Sequence, residues 1–232
     1  MRKFQAVYDD AAAFRGSEDA LETALGHSET KSPEVLAAIP DDRWLSMMTR
    51  CVFQAGFSWK VIDSKWPGFE EAFEGFPVGR WALAPDEDLD RLASDKRIVR
   101  NAQKIRTVRD NAVFLADLAR EKGSAGAVFA EWPAADFIGL LDLLKKRGSR
   151  LGGTSAQYFL RFMGRDSLIL SRDVTAALIR EGVIDKEPTS KAALKAVQAA
   201  FNTWMGESGR SMTEVSRVLA MSVGPSGQPT PH

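Results

Sequence analysis

Cysteine is nearly missing from this chain of 232 residues, and the one present, Cys51, cannot form an internal disulfide. Nothing therefore points to an oxidising compartment, and a cytoplasmic setting is expected. Long apolar runs are missing too. None approaches the ~20 residues of a membrane span, and Met1-Arg-Lys-Phe-Gln-Ala-Val-Tyr-Asp-Asp lacks the apolar core of a signal peptide, so no membrane partner is expected. No glycine-rich loop has Walker or Rossmann spacing, and no Gly-x-Ser-x-Gly elbow occurs. Nucleotide-driven chemistry and serine hydrolysis are disfavoured, and no cofactor is expected. Net charge is zero, from 31 basic and 31 acidic residues, whereas a duplex-DNA binder is more often basic.

What is present is helical. Period-two alternation is scarce, while Leu140, Leu141 and Leu144, and then Tyr158, Phe159, Phe162 and Met163, recur at helical spacing. Helices are predicted over 18–25, 33–38, 41–54, 58–64, 68–73, 86–94, 98–121, 134–147, 153–163, 171–181, 189–205 and 211–222. Pro67, Pro77, Pro85, Pro133 and Pro188 fall between these segments as breakers, with Asp41 and Thr189 as N-caps. The fold class is all-α, a compact multi-helical domain over 1–222, followed by a Pro- and Gly-rich tail at 223–232 that is expected to be mobile. His27 is expected on an exposed loop. A monomer is expected.

The charge is unevenly spread. Lys96, Arg97, Arg100, Lys104, Arg106 and Arg109 form a run with no acid before Asp110, and much of the acid lies at 9–42 and 84–95. A second basic cluster, Lys145, Lys146, Arg147 and Arg150, surrounds a glycine turn at 148–153 between two predicted helices. Gly148 would end the first helix in a left-handed conformation, Gly152 and Gly153 would turn the chain, and Thr154 would cap the second helix. The region 134–163 then reads as a helix-hairpin-helix, whose free N–H groups hold a nucleic-acid backbone without reading sequence. An ordinary αα-hairpin with a solvated basic rim fits the same residues.

Four short pieces narrow the reading: Gln54-Ala-Gly-Phe-Ser-Trp59, Phe69-Glu-Glu-Ala-Phe-Glu-Gly-Phe76, Ile98-Val-Arg-Asn-Ala-Gln-Lys-Ile105 with Asn111-Ala112, and Leu144-Lys-Lys-Arg-Gly148 with Gly153-Thr154. In order and spacing, residues 40 to 180 resemble the 3-methyladenine DNA glycosylase I family of the helix-hairpin-helix glycosylase superfamily. The resemblance implies hydrolysis of the N-glycosidic bond of an alkylated purine such as 3-methyladenine. The partner would be double-stranded DNA whose damaged base is rotated out of the stack. Trp59 matches the family's aromatic pocket residue, and Cys51, Phe53, Gln54 and Tyr158 are expected to share that pocket. Gly152, Gly153, Thr154, Lys146 and Arg150 would hold the DNA backbone, with Arg100, Asn101 and Lys104 lining the same cleft.

The chain departs from the family in three places. Well-known members hold zinc with an early Cys and His and a later His and Cys; here residues 1–50 hold only His27, and Asp173 and Ala177 stand at the later pair. No metal is expected. Typical members place a Glu eight residues before the pocket Trp, where this chain has Cys51, and their N-terminal pocket segment has at most an echo in Tyr8-Asp-Asp. Many superfamily members also carry an Asp after the hairpin helix. Ser171 occupies that position, and Asp173, the catalytic candidate, lies two places on, ~200° around a helix. Asp173 reads first as an anion at a helix start, and the 3-methyladenine glycosylase I type lacks a catalytic Asp there. Three classes stay open: a monofunctional glycosylase, a catalytically silent helix-hairpin-helix protein binding damaged DNA, and a helical scaffold with a basic rim.

Overall fold

In the computed structural model, residues 1–26 and 30–223 are described; His27 and all but the first residue of the tail lie outside them. Among the described residues there are fourteen α-helices, one 3-10 turn and no strand, so the all-α class holds. Contacts divide the chain into two units, one of Met1–Thr30, Pro133–Gly139 and Asp166–His232, the other of Lys31–Trp132 and Leu140–Arg165.

The first unit holds α1 (Phe4–Arg15), α2 (Glu18–Leu25), the 3-10 turn Ala134–Asp136, α12 (Arg172–Arg180), α13 (Lys191–Ser208) and α14 (Met212–Met221). The centre is α14, which packs against α1, α12 and α13. Met212, Val215, Val218 and Leu219 recur at three- and four-residue steps, so they form one stripe, and all four are fully buried. A capping box fixes the start of α14: Ser211 accepts from the Glu214 N–H, and the Glu214 carboxylate accepts from the Ser211 N–H. Glu181 is buried between Arg2 and Arg180, at 2.7 and 2.9 Å.

The second unit holds α3 (Pro33–Ala37), α4 (Asp41–Gln54), α5 (Trp59–Ala72), α6 (Val78–Ala82), α7 (Asp86–Leu92), α8 (Ala102–Lys122), α9 (Ala125–Glu131) and α11 (Thr154–Met163). Helix α10 (Phe137–Arg147) starts in the first unit and continues in the second. At the centre α4 packs against α5, α8, α9 and α11. Its Trp44 meets Phe129 and Phe159 at ring separations of 5.0 and 5.7 Å and donates its indole N–H to the Ile39 carbonyl. Phe53 packs edge-on against Phe69 at 4.7 Å, and Trp66, Phe69, Phe73 and Phe76 continue as stacked rings.

Several predicted boundaries move. The segments 58–64 and 68–73 are one helix, α5, which runs through Pro67. A proline inside a helix removes one hydrogen bond but need not end it when the following rings are anchored in a core. Helix α8 starts at Ala102 rather than 98, because the Asn101 side chain accepts from the Lys104 N–H and fixes the first turn there. Pro40, not Asp41, precedes α4, and Ser190, not Thr189, caps α13. Helices α1, α6 and α9 were not predicted; α6 and α9 are five and seven residues long, too short to show a period.

Candidate functional site

Helix α4 ends at Gln54 and α5 begins at Trp59, and the turn between them meets the start of α11. There Cys51, Gln54, Ala55, Trp59, Thr154, Ser155 and Tyr158 line a small recess that opens to solvent. Trp59 is 43% exposed, a large apolar ring left at the surface. Its position is nevertheless fixed: Tyr158 and Phe162, one turn apart on α11, pack edge-to-face with it at 5.0 and 5.7 Å. The structure thus brings together four of the five predicted pocket residues: Trp59, Cys51, Gln54 and Tyr158. Phe53 is the exception. It lies fully buried against Phe69, because two residues past Cys51 on α4 is the opposite side of that helix.

The chemistry of the lining is neutral. Burial, only slightly opposed by Arg50, pushes the Cys51 thiol up to about 12, so it stays protonated and unreactive near neutral pH. The Gln54 amide nitrogen donates to Asp63 Oδ1 at 3.1 Å, and the Arg50 guanidinium donates to the same oxygen at 2.7 and 3.1 Å. No carboxylate, imidazole or amine is among the lining residues.

Lys104 is turned inward, which corrects its expected place on a DNA-facing cleft. It is 6% exposed. Its ammonium donates to the Phe53 carbonyl at 3.2 Å and to the Ala55 carbonyl, and it lies 4.6 Å from the centre of the Phe57 ring. It satisfies the carbonyls left free where α4 ends. Burial first, then Arg150, lowers its pKa.

The hairpin between α10 and α11 is held by a residue whose role was not foreseen. Asn111 of α8 is fully buried; its side chain accepts from the Ser149 N–H at 2.7 Å and donates to the Ser149 carbonyl at 3.1 Å. It pairs with the turn as a strand neighbour would. Asn111-Ala112 stood in the sequence as a family match, but nothing in it named a partner. The left-handed positions also differ from expectation. Arg150 (φ 59°) and Gly153 (φ 56°) take them, and Gly148 does not. Gly148 is required for space: a β-carbon there would lie 2.7 Å from the Leu144 carbonyl oxygen and from Leu151 Cδ1. Thr154 is the first residue of α11 rather than its cap, and Gly153 at the cap has no side chain to offer, so the first N–H groups of α11 have no side-chain cap.

The basic residues are less free than their sequence suggests. Arg147 forms a two-point pair with Glu121, and Lys146 pairs with Asp142. Arg150 donates to Gln103 at 2.8 Å. In the run from 96 to 109, Arg97 pairs with Asp95 and Glu71, Arg106 with Asp90, and Arg109 with Asp86. The acid at 84–95 neutralises the base that follows it. Arg100 is exposed and has no ion pair among the described residues, and Asn101 serves as the α8 cap.

Asp173 belongs to the first unit, exposed in the first turn of α12 after the Ser171 cap, where a carboxylate meets the positive end of the helix dipole. Ala177, on the same helix, is buried and offers no ligand atom, so the donor set does not fit zinc. Tyr8 is buried and donates to Glu22 within the first unit. No helix among the described residues is long and apolar enough to cross a membrane.

Residues 37–136 match the family model of methyladenine glycosylase. No curated protein matches the chain. Among solved structures, a 3-methyladenine DNA glycosylase I variant in complex with 3-methyladenine is similar with a TM-score of 0.51 at 19% identity, covering 69% of this chain and 95% of that one. The Methanocaldococcus jannaschii 8-oxoguanine glycosylase/lyase, in complex with a 15mer DNA containing 8-oxoguanine, gives 0.52 at 15% identity, covering 92% and 95%. At such identities the likeness is one of fold. The fold is that of the helix-hairpin-helix glycosylases, and residues 37–136 are similar to the methyladenine glycosylase family.

Proposed function

We propose that the protein is a monofunctional DNA glycosylase that receives an alkylated purine, rotated out of duplex DNA, in the recess beside Trp59 and hydrolyses its N-glycosidic bond. One observation carries the substrate class: the recess has a half-exposed aromatic ring and no carboxylate, imidazole or amine. Such a lining offers no carboxylic acid or imidazolium to protonate a leaving base, which suits a base that leaves well unaided. A purine alkylated on a ring nitrogen is already cationic. As its bond to C1′ breaks, the electron pair passes to the base and cancels that charge; water adds its oxygen to C1′ and releases a proton to solvent. Stacking on Trp59 contributes ~1–3 kcal/mol, and cation–π attraction adds about 0.5–2 kcal/mol.

The uncapped start of α11 at Gly153 and Thr154, with Gly152, Lys146, Arg150 and Arg100, would hold the DNA backbone. Lys104 is sealed against two carbonyls, which supports hydrolysis without a lysine-linked lyase step. The second reading, a binder that does not cleave, is favoured by the Cys51 thiol at the usual Glu position, since a thiol is a poor acceptor. Release of free base from alkylated duplex DNA separates the two. Release supports the glycosylase; salt-dependent binding without release supports the silent binder.

A further inference from the structure

Among the described residues, Gln54 Oε1 is the one buried side-chain polar atom left without a hydrogen-bond partner. Buried acceptors are nearly always paired, and an exception calls for an explanation such as a catalytic role or a partner supplied from outside the chain. Gln54 is 5% exposed, so little solvent reaches it, and it lines the recess. The identity of its two terminal atoms follows from chemistry. A carboxylate only accepts, so the prong 3.1 Å from Asp63 Oδ1 must be the NH₂ group and the free prong must be the oxygen. Asp63 is held in turn by Arg50. The amide therefore cannot flip without losing that contact.

We infer that Gln54 reads the base: its side-chain oxygen accepts a hydrogen bond from the exocyclic amine of the flipped purine, and Asp63 with Arg50 positions that oxygen. This rests on the glycosylase reading above. The other polar lining groups discriminate poorly. Thr154, Ser155 and Tyr158 carry hydroxyls that rotate to donate or accept, and the Cys51 thiol is weak in both roles. A locked amide oxygen accepts only. It rewards an amine and gains nothing from a bare C–H edge, in place of the carboxylate that Cys51 has replaced.

The test uses the full chain and the release of methylated bases from alkylated duplex DNA. Free 3-methyladenine and 3-methylpurine, which lacks only the amine, are added as competing inhibitors. The wild type should be inhibited about tenfold more strongly by 3-methyladenine. Gln54→Met, close in size, should bring that ratio to near one. Asp63→Asn, at an exposed position that leaves the core intact, should lower the ratio in the same direction without lowering the melting temperature. It keeps the test sound if Gln54→Met folds poorly. Release with no preference in the wild type, or with a preference unchanged in both variants, overturns this inference alone. No release by the wild type overturns the glycosylase reading, and this inference falls with it.

Discussion

Asn111 shapes the hairpin as much as its glycines do, because one buried amide satisfies both backbone groups of Ser149. Removing it leaves the N–H and C=O of half-buried Ser149 without that partner, at about 1–3 kcal/mol for each group that water does not reach. Asn111→Ala is expected to lower stability by roughly 2–4 kcal/mol in urea unfolding and to weaken duplex binding. Lys104 and Arg100 give a contrasting pair. Lys104→Met should leave the slope of log affinity against log salt unchanged, since the ammonium already binds Phe53 and Ala55 carbonyls. Arg100→Ala should lower that slope by about one if the free guanidinium meets a phosphate. A lower slope for Lys104→Met would contradict its buried placement. At this scale a residue's placement was legible where it sat in a dense local pattern, as the position of Trp59 beside the recess was in Gln54-Ala-Gly-Phe-Ser-Trp59. It was not legible where the partner lies about fifty residues away, as for Lys104, or where side matters, as for Phe53.

Helices with a long apolar stripe could be read from spacing, and α4, α11 and α14 fall within a residue or so of expectation. Of the short helices, α3 and α7 lie within two residues of expectation, whereas α6 and α9 went unread, since five to seven residues carry less than two turns of pattern. Pro67 misled because its cost is local while the anchoring of α5 is tertiary, through Phe69 and Trp66. That cost remains measurable. Pro67 is exposed, so Pro67→Ala should raise stability by about 1–2 kcal/mol, after discounting the proline's effect on the unfolded chain; an unchanged urea midpoint would show that the helix does not bear it. The hairpin itself was visible as glycines and cations. Its charge, like that of the run 96–109, was overestimated, because the pairing of Arg147 with Glu121 and of Arg109 with Asp86 appears only in three dimensions.

For the whole molecule, the chain order is telling: the first unit is made of three stretches and the second of two. Neither unit is a continuous segment that could fold ahead of the other along the chain, so we propose that residues 1–222 unfold as one domain. Circular dichroism and tryptophan fluorescence should report coincident urea transitions. Acid should weaken this stability through Glu181. Burial alone would raise its carboxyl pKa, but hydrogen bonds from Arg2 and Arg180 outweigh that and hold it below the usual carboxylate range. Its contribution is then full above the unfolded value near ~4.3 and is lost as pH falls through the lower folded value. Glu181→Gln should remove that part of the acid dependence.

In the proposed reaction a damaged base leaves DNA while stacked on Trp59. The most direct measurement is release of free base from alkylated duplex DNA by wild type and Trp59→Ala side by side, with duplex affinity measured on both. Release is expected from wild type, and in the variant a rate lower by about ten- to a hundredfold with duplex affinity retained. Equal release by the two proteins would contradict it.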